Sequence, residues 1–135
     1  MPSSENAREY VKKQFGAELD GEFYHRGDYW YCRKPEEKYE TNGIRAIRDM
    51  EIGLKPTTYF LQLIEDKISK NRVDLGRDEL DTLLNNEMIE RSLEEKGYVA
   101  LFYGNRCIGC GFYKDNLIST RIPKGRAQEL LEFMK

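Results

Sequence analysis

The chain has 135 residues, 39% hydrophobic and 34% charged, with a formal net charge of −2. That is enough apolar material for a core and too much for a disordered chain, while the near-neutral balance excludes a global attraction for polyanions, so a nucleic-acid site must come from local clustering. No apolar run reaches the roughly 18–20 residues of a membrane span.

The opening MPSSENAREY is polar and carries no expectation of a secretory leader. Three cysteines without framework spacing argue for reduced thiols in a cytoplasmic setting. Ala7, Tyr10, Val11 and Phe15 recur at helical spacing before Gly16, which predicts a first amphipathic helix. Phe23 and Tyr24, a turn at Arg26-Gly27-Asp28, and Tyr29–Cys32 then read as an aromatic hairpin. Thr41–Ile47 has Ile44 and Ala46 at period two and predicts a strand ending near Asp49. Pro56, in Gly53-Leu54-Lys55-Pro56-Thr57-Thr58, is placed in the first turn of a second helix, because its fixed φ and missing N–H suit that position. Tyr59, Phe60, Leu63 and Ile64 are expected on the buried side of that helix. Val73 and Leu75 bracket a short strand, and Leu80, Leu83, Leu84 and Met88 mark a third helix.

The densest pattern is Gly97–Arg126, read as a β-meander. Tyr98–Tyr103 leads into Gly104-Asn105, a pair suited to a tight turn. Cys107–Tyr113 returns, Asp115-Asn116 turns again, and Leu117–Ile122 ends at Pro123. Gly109 and Gly111 inside the middle strand imply that it bends or that another backbone comes close. Ala127, Leu130, Leu131 and Met134 form a closing helix. Charge divides along the chain: Gly97–Arg126 holds Arg106, Lys114, Arg121, Lys124 and Arg126 against Asp115, whereas Gly76–Lys96 holds seven carboxylates against three cations. A basic sheet edge and an acidic helical side are expected.

KPTTYFLQL at Lys55–Leu63, NRVDL at Asn71–Leu75, the third helix and GYVALFYGNRCIGCGFYKDNLISTRIPKGR at Gly97–Arg126 together resemble one family. It is the PUA-like RNA-binding domain found C-terminal to the catalytic domain of Sun (Fmu)-type RNA cytosine methyltransferases, and in free-standing archaeal relatives. The resemblance extends more weakly over the aromatic hairpin and TNGIRAIR at Thr41–Arg48. It implies a small β-barrel-like sheet with flanking helices that grips tRNA or rRNA. The family's methyltransferase chemistry uses cysteines that follow prolines, and none of Pro2, Pro35, Pro56 and Pro123 is followed by Cys. The Gly-x-Lys-x-x-Glu signature of the related ASCH domains also fails, because Thr58 stands where its Glu would be.

Two patches are candidates for RNA contact. Lys114, Arg121, Lys124 and Arg126 lie toward the end of the meander, where cations would bind phosphates by releasing counterions. Pro123-Lys124-Gly125-Arg126 would also set backbone N–H groups at the start of the last helix. Lys55 and Thr57 with Asn71 and Arg72 form the second patch, and Thr57 serves equally well as a helix cap. Both patches also read as ordinary solvated surface. Tyr103 or Tyr113 would stack on bases if exposed, and is otherwise strand packing. Cys107-x-x-Cys110 is read as buried thiols and not as a metal site, because residues three apart in a regular strand point to opposite faces. His25 has no neighbouring nucleophile in sequence.

The expected fold is α+β: a small N-terminal lobe over residues 1–52, then a PUA-like barrel or strongly coiled mixed sheet over 53–135. The expected function is non-catalytic recognition of structured rRNA or tRNA, in ribosome biogenesis or RNA modification, by a monomer without metal, cofactor or membrane. A methyltransferase or ribosome-assembly protein is the expected further partner. The alternative is a protein-interaction module that docks on an RNA-modification enzyme.

Overall fold

A computed structural model describes the backbone of residues 3–32, 43–122 and 124–133; the side chains of 3–5, 124, 126, 130, 131 and 133 lie outside that description. Helix α1 (Ser3–Phe15) buries Ala7, Val11 and Phe15, one stripe at i, i+4 and i+8, and stops where the Gly16 N–H donates to the Lys12 carbonyl at 2.9 Å. Strands β1 (Glu22–Arg26), β2 (Asp28–Cys32), β3 (Ile44–Met50) and β4 (Gly53–Pro56) form an antiparallel sheet in chain order. The expected start of the third strand at Thr41 lies outside the described residues.

The second sheet is built from β5 (Arg72–Asp74), β6 (Ile89–Glu90), β7 (Gly97–Tyr103), β8 (Arg106–Lys114) and β9 (Leu117–Thr120), in the order β5-β7-β8-β9-β6. Only β5 and β7 pair in parallel, and the five strands curl strongly into a half-barrel. The meander read from the sequence is its centre. Its two turns, Gly104-Asn105 and Asp115-Asn116, all have positive φ (52° to 66°), the handedness that matches the twist of the flanking strands. Helices α2 (Thr58–Leu63), α3 (Arg77–Leu84) and α4 (Lys124–Phe133) flank the sheets, with a 3₁₀ turn at Glu65–Lys67. Among the described residues no helix is long and apolar enough to cross a membrane.

Both faces of β7 are covered, which explains its unbroken apolar run. Ala100 and Phe102 face a core shared with the first sheet, α1 and α2, while Val99 and Leu101 face a second core under α3. The first core combines Phe15, Phe23 and Tyr31 with Phe60, Phe102 and Cys110, so a single apolar cluster joins the two sheets. The β3–β4 hairpin crosses position 52/53, where the sequence divides into its two expected lobes.

Three sequence expectations give way here. Pro56 does not open a helix: it closes β4, an edge strand, where a missing N–H leaves no ladder bond unmade. Thr57 takes the cap instead, its N–H donating to the Ala46 carbonyl and its hydroxyl accepting from the Phe60 N–H at 3.2 Å. With the helix starting at Thr58, its inward stripe is Phe60, Leu61 and Ile64, and Tyr59 is 63% exposed. Met88 falls beyond α3, which ends at Leu84 before Asn86 turns to φ 65°, and its side chain is 59% exposed. Of the closing helix, Ala127 is buried as expected, while Leu130, Leu131 and Met134 lie outside the described side chains.

A bulge also changes the reading of Cys107-x-x-Cys110. Pairing passes from Leu101↔Gly109 to Phe102↔Cys107, leaving Ile108 unpaired. The extra residue restores both cysteines to one face, so both enter the first core while Ile108 enters the second. Gly109 makes this bend possible with φ +155°; an added Cβ would lie 2.5 Å from Ile122 Cγ1. Burial pushes both thiols up to about 12, so they stay protonated and unreactive at neutral pH. In the native protein a chromogenic disulfide reagent should therefore titrate the half-buried Cys32 quickly and Cys107 and Cys110 only after unfolding. Rapid native reaction of either core thiol would contradict this burial.

On the acidic side, Glu79 organises the link between α3 and the second sheet. Its Oε1 accepts from Gly76 N–H at 3.0 Å, and both carboxylate oxygens accept from Arg91, at 2.8 and 3.1 Å. Hydrogen bonding from Arg91 is the main reason its carboxyl titrates below the ordinary range. A depressed carboxyl stabilises the fold above its unfolded value, and that contribution disappears as pH falls through the folded value. Glu79→Gln should cost roughly 0.5–1 kcal/mol at neutral pH, with the gap to wild type closing in acid denaturation series below about pH 4.

Candidate nucleic-acid interface

The first sheet's outer face is fixed by strand alternation. Phe23, Tyr29 and Tyr31 point inward and are buried, so Tyr24 and Trp30 point outward. On β3 the pairing shifts from Tyr29↔Ile47 to Trp30↔Arg45, passing over Ala46. Ala46 and Ile47 are consequently both buried, and Arg45 and Arg48, three residues apart, both face out. β4 then sets Lys55 directly opposite Arg48.

These residues meet the start of α2 and the end of the meander in an open groove of about 390 Å³. Trp30, Pro56 and Tyr59 supply apolar surface, and Arg45, Arg48, Lys55 and Arg121 supply four cations. No carboxylate lines it among the described residues. Arg45 is partly neutralised, with Nε 3.3 Å from Asp28 Oδ2 and its guanidinium 5.5 Å from the centre of the Trp30 ring. Arg121 donates to Ser119 Oγ at 2.8 Å and lies over the Phe112 ring, with no acidic partner among the described residues. Arg48 and Lys55 likewise lack an ion-pair or hydrogen-bond partner among the described residues. Like charges directly opposite each other across two strands destabilise a sheet, and an anion between them would relieve that cost.

Of the residues proposed from the sequence, Lys55, Thr57 and Arg121 converge on this groove. Thr57 lines it with a hydroxyl already engaged, accepting from Phe60 and donating to the Arg45 carbonyl at 2.7 Å. Arg72 is elsewhere: with Asn71 it lines a polar cleft beside Lys13 and Glu94, pairs with Asp74 at 2.9 Å, and covers the Phe102 ring at 3.9 Å. The patch of Lys55 and Thr57 with Asn71 and Arg72 is therefore two separate places. Lys114 is exposed at the end of β8 and does not line the groove. The side chains of Lys124 and Arg126 lie outside the described ones, although both residues belong to α4.

Neither proposed stacking tyrosine of the meander is exposed. Tyr113 is buried, its hydroxyl accepting from Leu93 N–H at 2.9 Å, and Tyr103 packs half-buried on the second core. The aromatic surface of the groove comes instead from the half-buried Trp30 and the exposed Tyr59, which sequence reasoning missed together with Arg45 and Arg48. His25 Nε2 lies 3.0 Å from Asp49 Oδ2, with its ring against Tyr29, and is not part of the groove lining. Compared with family models and with curated protein sequences, the chain matches none.

Proposed function

We propose that this chain is a non-catalytic RNA-binding protein that recognises structured rRNA or tRNA through the groove between its two sheets, in ribosome biogenesis or RNA modification. The observation that carries the reading is the facing pair Arg48 and Lys55, without counter-ions among the described residues, inside a four-cation groove free of carboxylates. Such a site concentrates positive charge locally on a chain of net charge −2, which is what polyanion binding requires of it. The acidic stretch Gly76–Lys96, with seven carboxylates against three cations, would repel a misdocked RNA and favour one orientation.

The PUA-like resemblance supplies rRNA and tRNA as the class to try first. A protein-docking module would call for a contiguous apolar patch. The exposed large apolar side chains among the described residues are Ile52, Tyr59, Met88 and Leu117, of which Tyr59 alone lines the groove. Filter binding to tRNA and rRNA fragments tests the reading: binding near 50 mM salt that weakens steeply as salt rises is expected. Undetectable binding at that ionic strength overturns it.

A further inference from the structure

Resting on the RNA-binding reading, we propose that the groove continues across the outer face of the first sheet as a path for single-stranded RNA, with Trp30 and Tyr24 as stacking platforms for unpaired bases. The register places them together: Tyr24 on β1 is directly opposite Trp30 on β2, which is opposite Arg45 on β3. Directly opposed side chains have Cβ atoms roughly 4.5–5.5 Å apart, so the two rings form one row across the sheet. Both are half-buried on the outward face, although the inward face already holds the aromatics the core needs.

Each ring carries a guanidinium: Arg26 lies 5.9 Å from the centre of Tyr24 and Arg45 lies 5.5 Å from that of Trp30. The indole is held in place by its Nε1–H, which donates to the Arg26 carbonyl at 3.3 Å. A rigid ring with a cation beside it suits a nucleotide, whose base stacks while its phosphate meets the charge. Among the described residues, the carboxylates on this face do not oppose that. Asp28 is engaged by Arg45 and by the Asp49 N–H, and Glu22 sits at the far end beside Cys32.

Continuity with the groove is direct, because Trp30 and Arg45 line both surfaces. The bulge that passes over Ala46 turns Arg45 and Arg48 outward together, giving phosphates a cationic track from Lys55 to Tyr24. Bases within an A-form duplex are stacked on one another and cannot reach these rings, so the ligand class is RNA with an unpaired segment next to its structured part.

Trp30 is the chain's single tryptophan, which makes its fluorescence a direct reporter. The full chain is titrated with a blunt RNA hairpin and with the same hairpin bearing a single-stranded extension, following both RNA anisotropy and Trp30 emission. The extension should tighten binding roughly 5- to 150-fold and quench the emission, since base–aromatic stacking contributes that much per base. Tyr24→Leu should remove part of the gain while leaving blunt-hairpin binding unchanged, which also shows that the variant is folded. Equal affinity for the two hairpins with unquenched Trp30 overturns this inference alone. Failure of both hairpins to bind overturns the groove reading and this inference with it.

Discussion

Charge reversal at Lys55 and Arg121 is expected to lower the affinity for structured RNA at least tenfold at about 100 mM salt, and to flatten its salt dependence. The two residues approach the groove from different segments, Lys55 from β4 and Arg121 from just after β9, so together they reverse half of its positive charge. If each neutralises one phosphate, their removal lowers the slope of log affinity against log salt by roughly 1.4–1.8. Filter binding across a salt series measures both quantities.

The stability of the Lys55→Glu variant separates this loss from unfolding. Lys55 faces Arg48 across the strands, so a carboxylate there replaces a repulsive pair with an attractive one, worth roughly 0.2–1 kcal/mol. Affinity should fall while the melting temperature holds or rises. Lys114→Glu, outside the groove lining, should leave binding within about twofold and serves as the control. Equal losses from Lys55→Glu and Lys114→Glu would show that the RNA is drawn by diffuse charge and that the groove is not the site.

The parts of this protein readable in its sequence are those governed by local periodicity and turn chemistry. Gly104-Asn105 and Asp115-Asn116 announced the meander because few residues tolerate positive φ, and Ala7, Val11 and Phe15 announced α1 because a helix repeats its buried face. The groove was legible only in part. Lys55 and Arg121 were named as members of two patches about 66 residues apart in the chain, and nothing local says that β4 and the meander's end meet.

Bulges hid the remainder. Strict alternation sends Arg45 and Arg48 to opposite faces, as it does Cys107 and Cys110, and a single unpaired residue in each strand cancels that inference. Gly109 hinted at the second bulge; Ala46 gave no comparable signal. Pro56 misled for a different reason. Its missing N–H suits the first helical turn and an edge strand equally, and the choice was settled by pairing with Ile47. Tyr59 lies outward because the helix buries Phe60, Leu61 and Ile64.

That corner also determines where the fold is most vulnerable. α2 has six residues, too few to hold a helix in water without tertiary support, so its place depends on the Thr57 cap and on burial of Phe60 and Leu61. Phe60 is fully buried. It packs edge-on against Phe23 and Tyr31 of the first sheet at 5.8 and 5.6 Å, within the cluster that also holds Phe102 and Cys110 of the second.

Phe60→Ala should therefore cost about 3–5 kcal/mol, a large part of the roughly 5–15 kcal/mol that stabilises a domain of this kind. Denaturant unfolding measures it directly, and the melting temperature should drop by at least about 10 °C. Phe60→Leu keeps most of the volume and should lose under half as much. The functional consequence follows from chain order: releasing Phe60 frees its neighbours Thr57 and Tyr59, and with them the wall of the groove that Lys55 and Arg121 share. RNA affinity should fall in Phe60→Ala even under conditions where the protein remains folded, although Phe60 itself is buried away from the RNA. Retained affinity in a folded Phe60→Ala protein would show instead that the β3–β4 hairpin holds the site without α2.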